Sequence, residues 1–204
     1  MKARLVVLAS GQGTNLQALL DACRSGALAA EVVAVASHNP TAHALRRAQD
    51  AGATTFYSAP PRSTTRTARA AWDADLARWV AAFEPDLIVL AGWMRIVSTA
   101  FLDRFPGRVV NLHPALPGEL PGLNAIARAH DEARTGTRRE TGVMVHYAVP
   151  EVDAGPVIVS ERVPIDPEAP LEALEEAIHA VEHRLIVEGV RQALAAGAQK
   201  HNQG

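Results

Sequence analysis

The sequence contains little cysteine and few aromatic residues. Its 204 residues include one cysteine, Cys23, so no disulfide can form within the chain. Such cysteine use is typical of proteins that remain in a reducing compartment, and we expect a cytoplasmic location. Cys23 lies in the helical-looking stretch LLDAC, where a small apolar side chain packs well. We therefore predict that it belongs to the core and is not a catalytic thiol.

Long apolar runs and blocks of basic charge are also missing. No stretch approaches the roughly 20 apolar residues that a membrane-spanning helix needs. The chain has 20 Lys and Arg against 22 Asp and Glu, a formal net charge of -2, and no dense basic cluster. A nucleic-acid surface is therefore not indicated. We expect small-molecule partners, with no nucleic acid and no membrane.

The first half of the chain alternates between strand-like and helix-like segments. Unbroken apolar strands alternating with helices are typical of an open, mostly parallel α/β sheet, which we predict here as Rossmann-like with flanking helices. The predicted strands are 3–9, 31–37, 53–57, 86–91 and 107–112, and the predicted helices are 15–26, 42–52, 67–84 and 98–105.

After residue 112 the pattern changes. A proline-rich loop leads to a helix at about 124–134, strand-like runs at 141–149 and 156–163, and a closing helix at about 170–196. We interpret 1–197 as a single domain, with an N-terminal half of about 1–105 and a C-terminal half of about 106–197. Residues 198–204 are expected to be a polar tail.

A glycine-rich loop, SGQGTN at 10–15, joins the first strand to the first helix. Such a loop can aim free N–H groups at an anion, and the helix N-terminus adds a positive partial charge. The simpler alternative is a tight turn alone. A dinucleotide site fits less well, because Leu16 replaces the third glycine and SHNP at 37–40 offers no acid for a ribose diol. We therefore favour a single phosphate group.

Polar side chains lie at the end of the strand predicted at 107–112. Asn111 can donate a hydrogen bond to a carbonyl oxygen, and His113 can carry a proton near neutral pH. Asp153, between two later strands, would orient the His113 ring and favour its charged form if the two meet. Turn-forming roles are the alternative for all three residues. The sequence alone does not bring them together.

The other histidines carry weaker signals. His38, His43, His130 and His201 fall in loops or on polar faces and are expected in solvent, whereas His146 alternates with apolar neighbours and is expected to be partly buried. His179 and His183 have metal-ligand spacing, but HAVEH differs from the HExxH zinc pattern. We therefore predict no metal site.

Taken together, these segments resemble the phosphoribosylglycinamide formyltransferases, a folate-dependent family of purine synthesis. The resemblance covers about residues 3–190 and is carried by VVLASGQGTNLQALLDAC at 6–23, PDLIVLAGWMRIVS at 85–98, VVNLHPALPG at 109–118, HYAVPEVDAGPVI at 146–158 and HAVEHRL at 179–185. It implies the formyltransferase fold, whose C-terminal half carries an antiparallel strand and a long final helix. It also implies a monomer or a homodimer.

The resemblance implies an activity and a set of site residues. The formyl group of the cosubstrate 10-formyltetrahydrofolate would pass to the amine of 5-phosphoribosylglycinamide, with no metal. The catalytic residues would be Asn111, His113 and Asp153. The ribonucleotide would be bound by Gly13, Thr14, Asn15, His179, Ala180, Val181 and Glu182. The folate would be bound by Arg69, Met94, Arg95, Ile96, Val97, Asn111, Val149, Pro150, Glu151, Val152 and Asp153.

The chain departs from the family pattern in three places. Asn124 stands where members often have histidine, ALPGELPG at 115–122 shifts one proline, and Gln12 replaces a common asparagine. Two alternatives therefore stay open at this point. The chain could be a formyltransferase of the same fold that acts on another amine, such as a sugar nucleotide. It could also be an α/β protein that binds a nucleotide or folate without catalysis.

Overall fold

In a computed structural model, which describes residues 2–63 and 65–201, strands and helices alternate as the sequence predicts. The strands are β1 Ala3–Leu8, β2 Ala30–Ser37, β3 Thr54–Tyr57, β4 Leu87–Leu90, β5 Val109–His113, β6 Glu140–Tyr147 and β7 Val157–Pro164. The helices are α1 Thr14–Ser25, α2 His43–Asp50, α3 Arg66–Ala81, α4 Thr99–Leu102, α5 Ala125–Arg134 and α6 Leu171–His201.

The strands form one sheet in the order β3-β2-β1-β4-β5-β6-β7. Neighbours from β3 to β5 pair in parallel, and β6 is antiparallel to both β5 and β7. The predicted fold class, an open and mostly parallel sheet with an antiparallel strand and a long final helix, is confirmed.

The core lies on both faces of this sheet. Alternate residues of β1 point to opposite faces, and Leu5, Val6, Val7 and Leu8 are all fully buried. Leu5 and Val7 pack with residues of α1, α2, α5 and α6, whereas Val6 and Leu8 pack with residues of α3 and α4. Cys23 is buried on the first of these faces, as predicted. Burial on both faces explains why the central strands are continuously apolar.

The strand order reverses between β1 and β4. The chain adds β2 and β3 on one side of β1 and then returns to place β4 on the other side. Beyond the carboxyl ends of β1 and β4, the Ser10 N–H donates to the Gly92 carbonyl at 3.1 Å. In open α/β sheets a crevice forms where the connections diverge in this way. The topology therefore places the expected ligand crevice beside the glycine-rich loop.

Several predicted boundaries are wrong by a few residues. α3 ends at Ala81, before the predicted 84, and Glu84 has a positive φ of 45° ahead of Pro85. α4 covers only four of the eight predicted residues. α6 continues past the predicted end at 196, because alanine-rich sequence favours helix. Residues 198–201 of the predicted tail thus belong to α6, and residues 202–204 lie outside the described part of the chain. Across the described residues, no helix is long and apolar enough to cross a membrane.

Candidate active site

The glycine-rich loop packs tightly against the start of α2. Gly13 has a φ of 72°, and a Cβ at this position would lie 2.7 Å from the Cα and Cβ of Ala44. The Ala44 N–H donates to the Gly11 carbonyl at 3.1 Å, which fixes the turn. Among the described residues, no side chain caps the N-terminus of α1. The amides of its first turn are therefore not taken by a capping side chain, as an anion site requires.

A buried carboxylate from α6 faces the same end of α1. The Asn15 Nδ2 donates to Glu182 Oε2 at 3.2 Å, and His179 Nδ1 lies 2.8 Å from that oxygen. The Glu182 hydrogen bond raises the pKa of His179, which burial partly opposes. The Asn15 Oδ1 is buried without a hydrogen-bond partner among the described residues. This cluster joins residues 167 positions apart.

The end of β5 carries the predicted polar pair. β5 extends to His113, one residue beyond the predicted strand, and its antiparallel register sets Asn111 opposite His146 of β6. The Asn111 Nδ2 donates to Asp153 Oδ1 at 3.0 Å and lies 3.1 Å from His146 Nε2. The structure therefore brings Asn111 and Asp153 into direct contact.

Asp153 is the centre of this polar cluster. Its Oδ2 lies 3.4 Å from His113 Nδ1 and accepts the Gly122 N–H at 2.8 Å. Burial would raise the pKa of Asp153, but His146, the Gly122 amide and His113 together outweigh burial and lower it. Asp153 has a positive φ of 53°, which an aspartate tolerates better than most residues. The carboxylate form is therefore held in place by three different segments.

His113 is almost fully buried, and both of its ring nitrogens face acceptors. Its Nε2 donates to the Leu120 carbonyl at 3.0 Å, and its Nδ1 faces Asp153. Burial lowers the pKa of His113, and this outweighs the opposite effects of Asp153 and the Leu120 carbonyl. The expectation that Asp153 favours the charged ring gives the correct sign for that one contact. Burial reverses the net direction of the shift.

His146 is the residue of this cluster that sequence reasoning missed. It was expected to be only partly buried, yet it is 2% exposed. Its Nδ1 donates to the Tyr147 carbonyl at 2.9 Å, which leaves Nε2 to face Asn111 and, at 3.6 Å, Asp153 Oδ1. Alternation along the strand was the available signal, but only the register of β6 against β5 sets His146 beside Asn111.

A loop at 94–97 forms the opposite side of the crevice. The Met94 N–H donates to Ser10 Oγ at 2.9 Å, and that oxygen lies 3.0 Å from His38 Nε2. His38 is thus partly buried and bonded instead of freely solvated, and burial lowers its pKa. Asp73 of α3, fully buried, accepts the Ser98 N–H at 2.9 Å at the other end of the loop.

One cavity of about 770 Å³ connects these parts. Most of the predicted site residues line it, namely Thr14, Asn15, Arg69, Met94, Arg95, Ile96, Val97, Asn111, His113, Val149, Pro150, Glu151, Val152, Asp153, His179 and Glu182. Its described lining does not include Gly13, Ala180 or Val181. Val181 packs in the core instead, and Ala180 is exposed. Trp72, Trp93, Leu123 and Asn124 also line the cavity.

Several histidines lie outside the cluster around Asp153. Within residues 2–63 and 65–201, no group of three or more His, Cys, Asp or Glu is arranged to hold a metal ion. His130, expected in solvent, is buried, and its Nε2 donates to the Ala169 carbonyl at 2.9 Å. A buried histidine with a carbonyl partner is a common structural role.

The fold and the cavity define the class of the protein. A doubly wound sheet, a large cavity at its switch point and a buried carboxylate–imidazole–amide cluster within it are typical of open α/β enzymes that act on small molecules.

Comparison with known proteins identifies the family. Residues 3–190 match the family described as formyl transferase. The phosphoribosylglycinamide formyltransferase of Schizosaccharomyces pombe is 41% identical over 94% of this chain and 97% of that protein. The crystal structure of glycinamide ribonucleotide transformylase 1 from Symbiobacterium toebii is 38% identical, with a TM-score of 0.87 over 96% of this chain and 89% of that one. The corresponding Geobacillus kaustophilus structure is 39% identical, with a TM-score of 0.86 over 95% and 100%. The chain belongs to the formyl transferase family.

Proposed function

We propose that the protein transfers the formyl group of 10-formyltetrahydrofolate to the amine of 5-phosphoribosylglycinamide. The observation that carries this proposal is the Asn111–His113–Asp153 cluster within a cavity that reaches both the start of α1 and the loop at 94–97. Relatives named for this reaction match nearly the whole chain. The products are the N-formyl ribonucleotide and tetrahydrofolate, and the reaction belongs to purine synthesis.

We assign the ribonucleotide to the α1 side of the cavity. The amides at Gly13, Thr14 and Asn15 would bind the phosphate, because the helix N-terminus supplies aligned N–H donors. Glu182 would accept a hydrogen bond from the substrate amine, with His179 beside it. Asn15 already orients the Glu182 carboxylate. The ribonucleotide would thereby be held at two points, its phosphate at the start of α1 and its amine at Glu182.

We assign the formyl donor to the other side. Met94, Ile96, Leu123 and Val152 are large apolar side chains that are exposed and line the cavity. Exposed apolar side chains that converge on a cavity are suited to a flat, largely apolar ligand such as a pteridine with its benzoyl group. Residues 149–153 would close over that ring, and Arg69 offers a positive charge for a carboxylate of the donor.

The chemistry follows from the arrangement of donors. The amine nitrogen attacks the formyl carbon, a new C–N bond forms and the carbonyl oxygen becomes an oxyanion. Asn111 and His113 would donate to that oxygen, by exchange of bonds that this structure directs to Asp153, His146 and Leu120. An oxyanion is a better acceptor than the neutral Leu120 carbonyl, so the exchange is favoured mainly in the transition state. The attacking amine nitrogen then loses a proton, the bond from the formyl carbon to the folate nitrogen breaks, and the folate nitrogen takes up a proton, so the two transfers balance.

We infer further that the substrates are small molecules, which a cavity of about 770 Å³ suits. The enzyme would work in the reducing cytoplasm, since the chain can form no internal disulfide. Acyl transfer from an activated formyl donor to an amine requires no metal. The residues that would act on the formyl carbon are all amide, imidazole or carboxylate groups.

The test is a formyl-transfer assay with the purified protein. We expect tetrahydrofolate release that depends on both 10-formyltetrahydrofolate and 5-phosphoribosylglycinamide. His113→Ala and Asp153→Asn should each lower kcat by about 10²–10³-fold, the usual cost of losing one oxyanion donor or its partner. Ribonucleotide binding, measured by calorimetry, should change little, because both residues act at the formyl carbon.

An amino sugar nucleotide in place of the ribonucleotide provides the control acceptor. Release that requires the sugar nucleotide would reject the proposed acceptor. Binding of both ligands without release would reject catalysis altogether. A wild-type kcat in both variants would reject the assigned catalytic residues.

A further inference from the structure

The loop that follows β5 returns to contact the catalytic cluster. We name residues 119–122 the strap. Its Leu120 carbonyl oxygen accepts a hydrogen bond from His113 Nε2, 3.0 Å away, and its Gly122 N–H donates to Asp153 Oδ2 at 2.8 Å. Two successive strap contacts thus set which His113 nitrogen carries a proton and where the Asp153 carboxylate lies. The strap backbone is therefore part of the geometry of the site.

The backbone of the strap is in a conformation that its sequence does not favour. Leu120 has a positive φ of 44°, which is unfavourable for a residue with a branched side chain, and its side chain is buried. Gly118 and Gly122, at φ 79° and 83°, permit the turns on either side. A strained residue of this kind persists only where surrounding contacts hold it. Burial fixes the side chain of Leu120, and Arg128 of α5 holds the next residue, because its Nη1 donates to the Pro121 carbonyl at 2.9 Å.

Arg138 holds the strap at Glu119, from outside the cavity. Its guanidinium donates to the carboxylate of Glu119, to Glu132 Oε2 at 2.7 Å and to the Glu140 carbonyl at 3.2 Å. The Arg138 side chain is 17% exposed, so these bonds are partly shielded from solvent. One side chain thereby ties the strap to both α5 and β6. Arg138, Glu119 and Glu132 are not among the described residues that line the cavity.

We propose that Arg138 is a positioning residue, which acts through Glu119 to aim the Leu120 carbonyl at His113 and the Gly122 amide at Asp153. This inference rests on the proposed function, because it assigns Arg138 a role in the reaction that His113 and Asp153 carry out. Neither Arg138 nor Glu119 is among the described residues that line the cavity. The Leu120 bond would orient the His113 ring until the oxyanion forms, and the Gly122 bond would keep Asp153 in place while His113 Nε2 turns from Leu120 to the oxyanion. Small displacements of such geometry are costly to the rate.

The main test is steady-state kinetics of Arg138→Met and Glu119→Ala. We expect kcat to fall by about 10–100-fold, with KM for each substrate changed by less than about 3-fold, because the strap aims catalytic groups and does not line the binding surfaces. Glu119→Gln, which keeps a hydrogen-bond acceptor for Arg138, should retain most of the activity. The variant that carries both Arg138→Met and Glu119→Ala should have a kcat no lower than that of Arg138→Met, since both substitutions remove the same Arg138–Glu119 contact.

The matched control is Arg162→Met. Arg162 of β7 pairs with the Glu140 side chain of β6 and is largely exposed, and among the described residues it forms no hydrogen bond or ion pair with the strap. It should leave kcat within about 2-fold of the wild type, as expected for an exposed ion pair. An equal fall of kcat in the control would overturn the proposal, because a general loss of stability would then explain both results.

The pH profile gives a readout that a purely structural ion pair would not move. Asp153 is faced by His113 from β5, by His146 from β6 and by the Gly122 amide from the strap. Withdrawal of that amide would make the carboxylate less favourable, so the acid limb of kcat should shift to higher pH in Arg138→Met and Glu119→Ala. An acid limb that coincides with that of Arg162→Met would contradict the proposal.

Hydrogen exchange separates this inference from the proposed function. The Gly122 amide should exchange faster in Arg138→Met than in the wild type or in Arg162→Met, whichever acceptor the enzyme uses. Unchanged exchange at Gly122 would overturn the proposal even if formyl transfer is confirmed. Faster exchange with wild-type kcat would also overturn it, because the strap would then move without any effect on the reaction. Faster exchange and a lower kcat in a protein that formylates a different amine would support the positioning role of Arg138. They would reject only 5-phosphoribosylglycinamide as the formyl acceptor.

Discussion

At the scale of single residues, His146 is a buried histidine that contacts two of the proposed catalytic residues. It bonds Asn111 and faces Asp153, so it holds two members of the cluster at once. We expect His146→Ala to lower kcat at least about 10-fold, since Asn111 and Asp153 would lose a shared partner and drift from their reactive geometry. KM for the ribonucleotide should change by less than about 3-fold.

His130→Ala is the matched control for this prediction. His130 is also buried and also donates to a backbone carbonyl, but it lies away from the cavity. Both variants lose a buried histidine, and only His146→Ala should lose catalysis. Equal activity losses in the two variants, at equal stability, would mean that His146 has no special effect on the reaction.

Asp73 is a second residue whose behaviour follows from burial. Burial raises its pKa, and the Ser98 hydrogen bonds and the charge of Arg69 only partly offset this effect. The Asp73 carboxyl therefore binds a proton more tightly in the folded state than in the unfolded state, where an aspartate titrates at about pH 4. Stability associated with this group is present at low pH and is lost as pH rises through the folded pKa.

The prediction concerns Asp73→Asn, which removes the charge and keeps an acceptor for the Ser98 amide. Its Tm relative to the wild type should increase as pH rises from about 4 to about 7, measured by calorimetry at several pH values. Asp75→Asn, an exposed residue paired with Arg78 on the same helix, should show a nearly constant difference. A relative Tm of Asp73→Asn that falls as pH rises would contradict the assigned direction.

At the scale of elements, the turn between β1 and α1 depends on one glycine. Gly13→Ala would strain a left-handed residue by about 1–2 kcal/mol and bring a methyl group against Ala44. We expect a lower free energy of unfolding by at least that amount, and weaker ribonucleotide binding because the phosphate amides shift with the turn. Denaturant unfolding and calorimetry measure the two effects.

Gly11→Ala serves as the comparison for stability. Apart from Gly11 and its two neighbours in the chain, no heavy atom of the described residues lies within 4 Å of a Cβ built at Gly11, and its φ is outside the left-handed region. Its free energy of unfolding should stay within about 0.5 kcal/mol of the wild type. Equal destabilisation by both substitutions would show that the contact with α2 is not what makes Gly13 necessary.

At the scale of the whole molecule, the ribonucleotide site joins distant parts of the chain. The bond from Asn15 to Glu182 connects α1 to α6, which pack on the same face of the sheet. A ligand that binds only the folded chain at about 100 times its Kd adds about 2.7 kcal/mol of stability. For a protein of this length that corresponds to a rise in Tm of about 5–10 °C.

We therefore expect 5-phosphoribosylglycinamide alone to raise Tm by that amount. Glu182→Gln should remove most of the rise, because the amine loses its charged acceptor. Glu176→Gln, an exposed change on the same helix, should leave it intact. A full rise in Glu182→Gln would place the amine elsewhere. These assignments of ligands to residues are proposals, as is the single domain spanning 1–197.

The sequence by itself determined the fold class and pointed to Asn111 and His113 as polar residues at a strand end. Continuous apolar runs such as DLIVLA, between a proline and a glycine, indicate strands buried on both faces, and the ends of such strands border the crevice. These features could be predicted because periodicity and the ends of strands depend only on residues that are neighbours in the sequence.

Only the tertiary structure decided which groups meet and with what charge. The β5–β6 register places His146 opposite Asn111, and the left-handed turns after Pro117 bring Leu120 and Gly122 back to the cluster. Burial, which no local pattern reports, reverses the net pKa shift of His113. Register and desolvation depend on residues far apart in the chain, and the loop return depends on the backbone conformation of residues 118–122, so none of the three follows from a local sequence pattern.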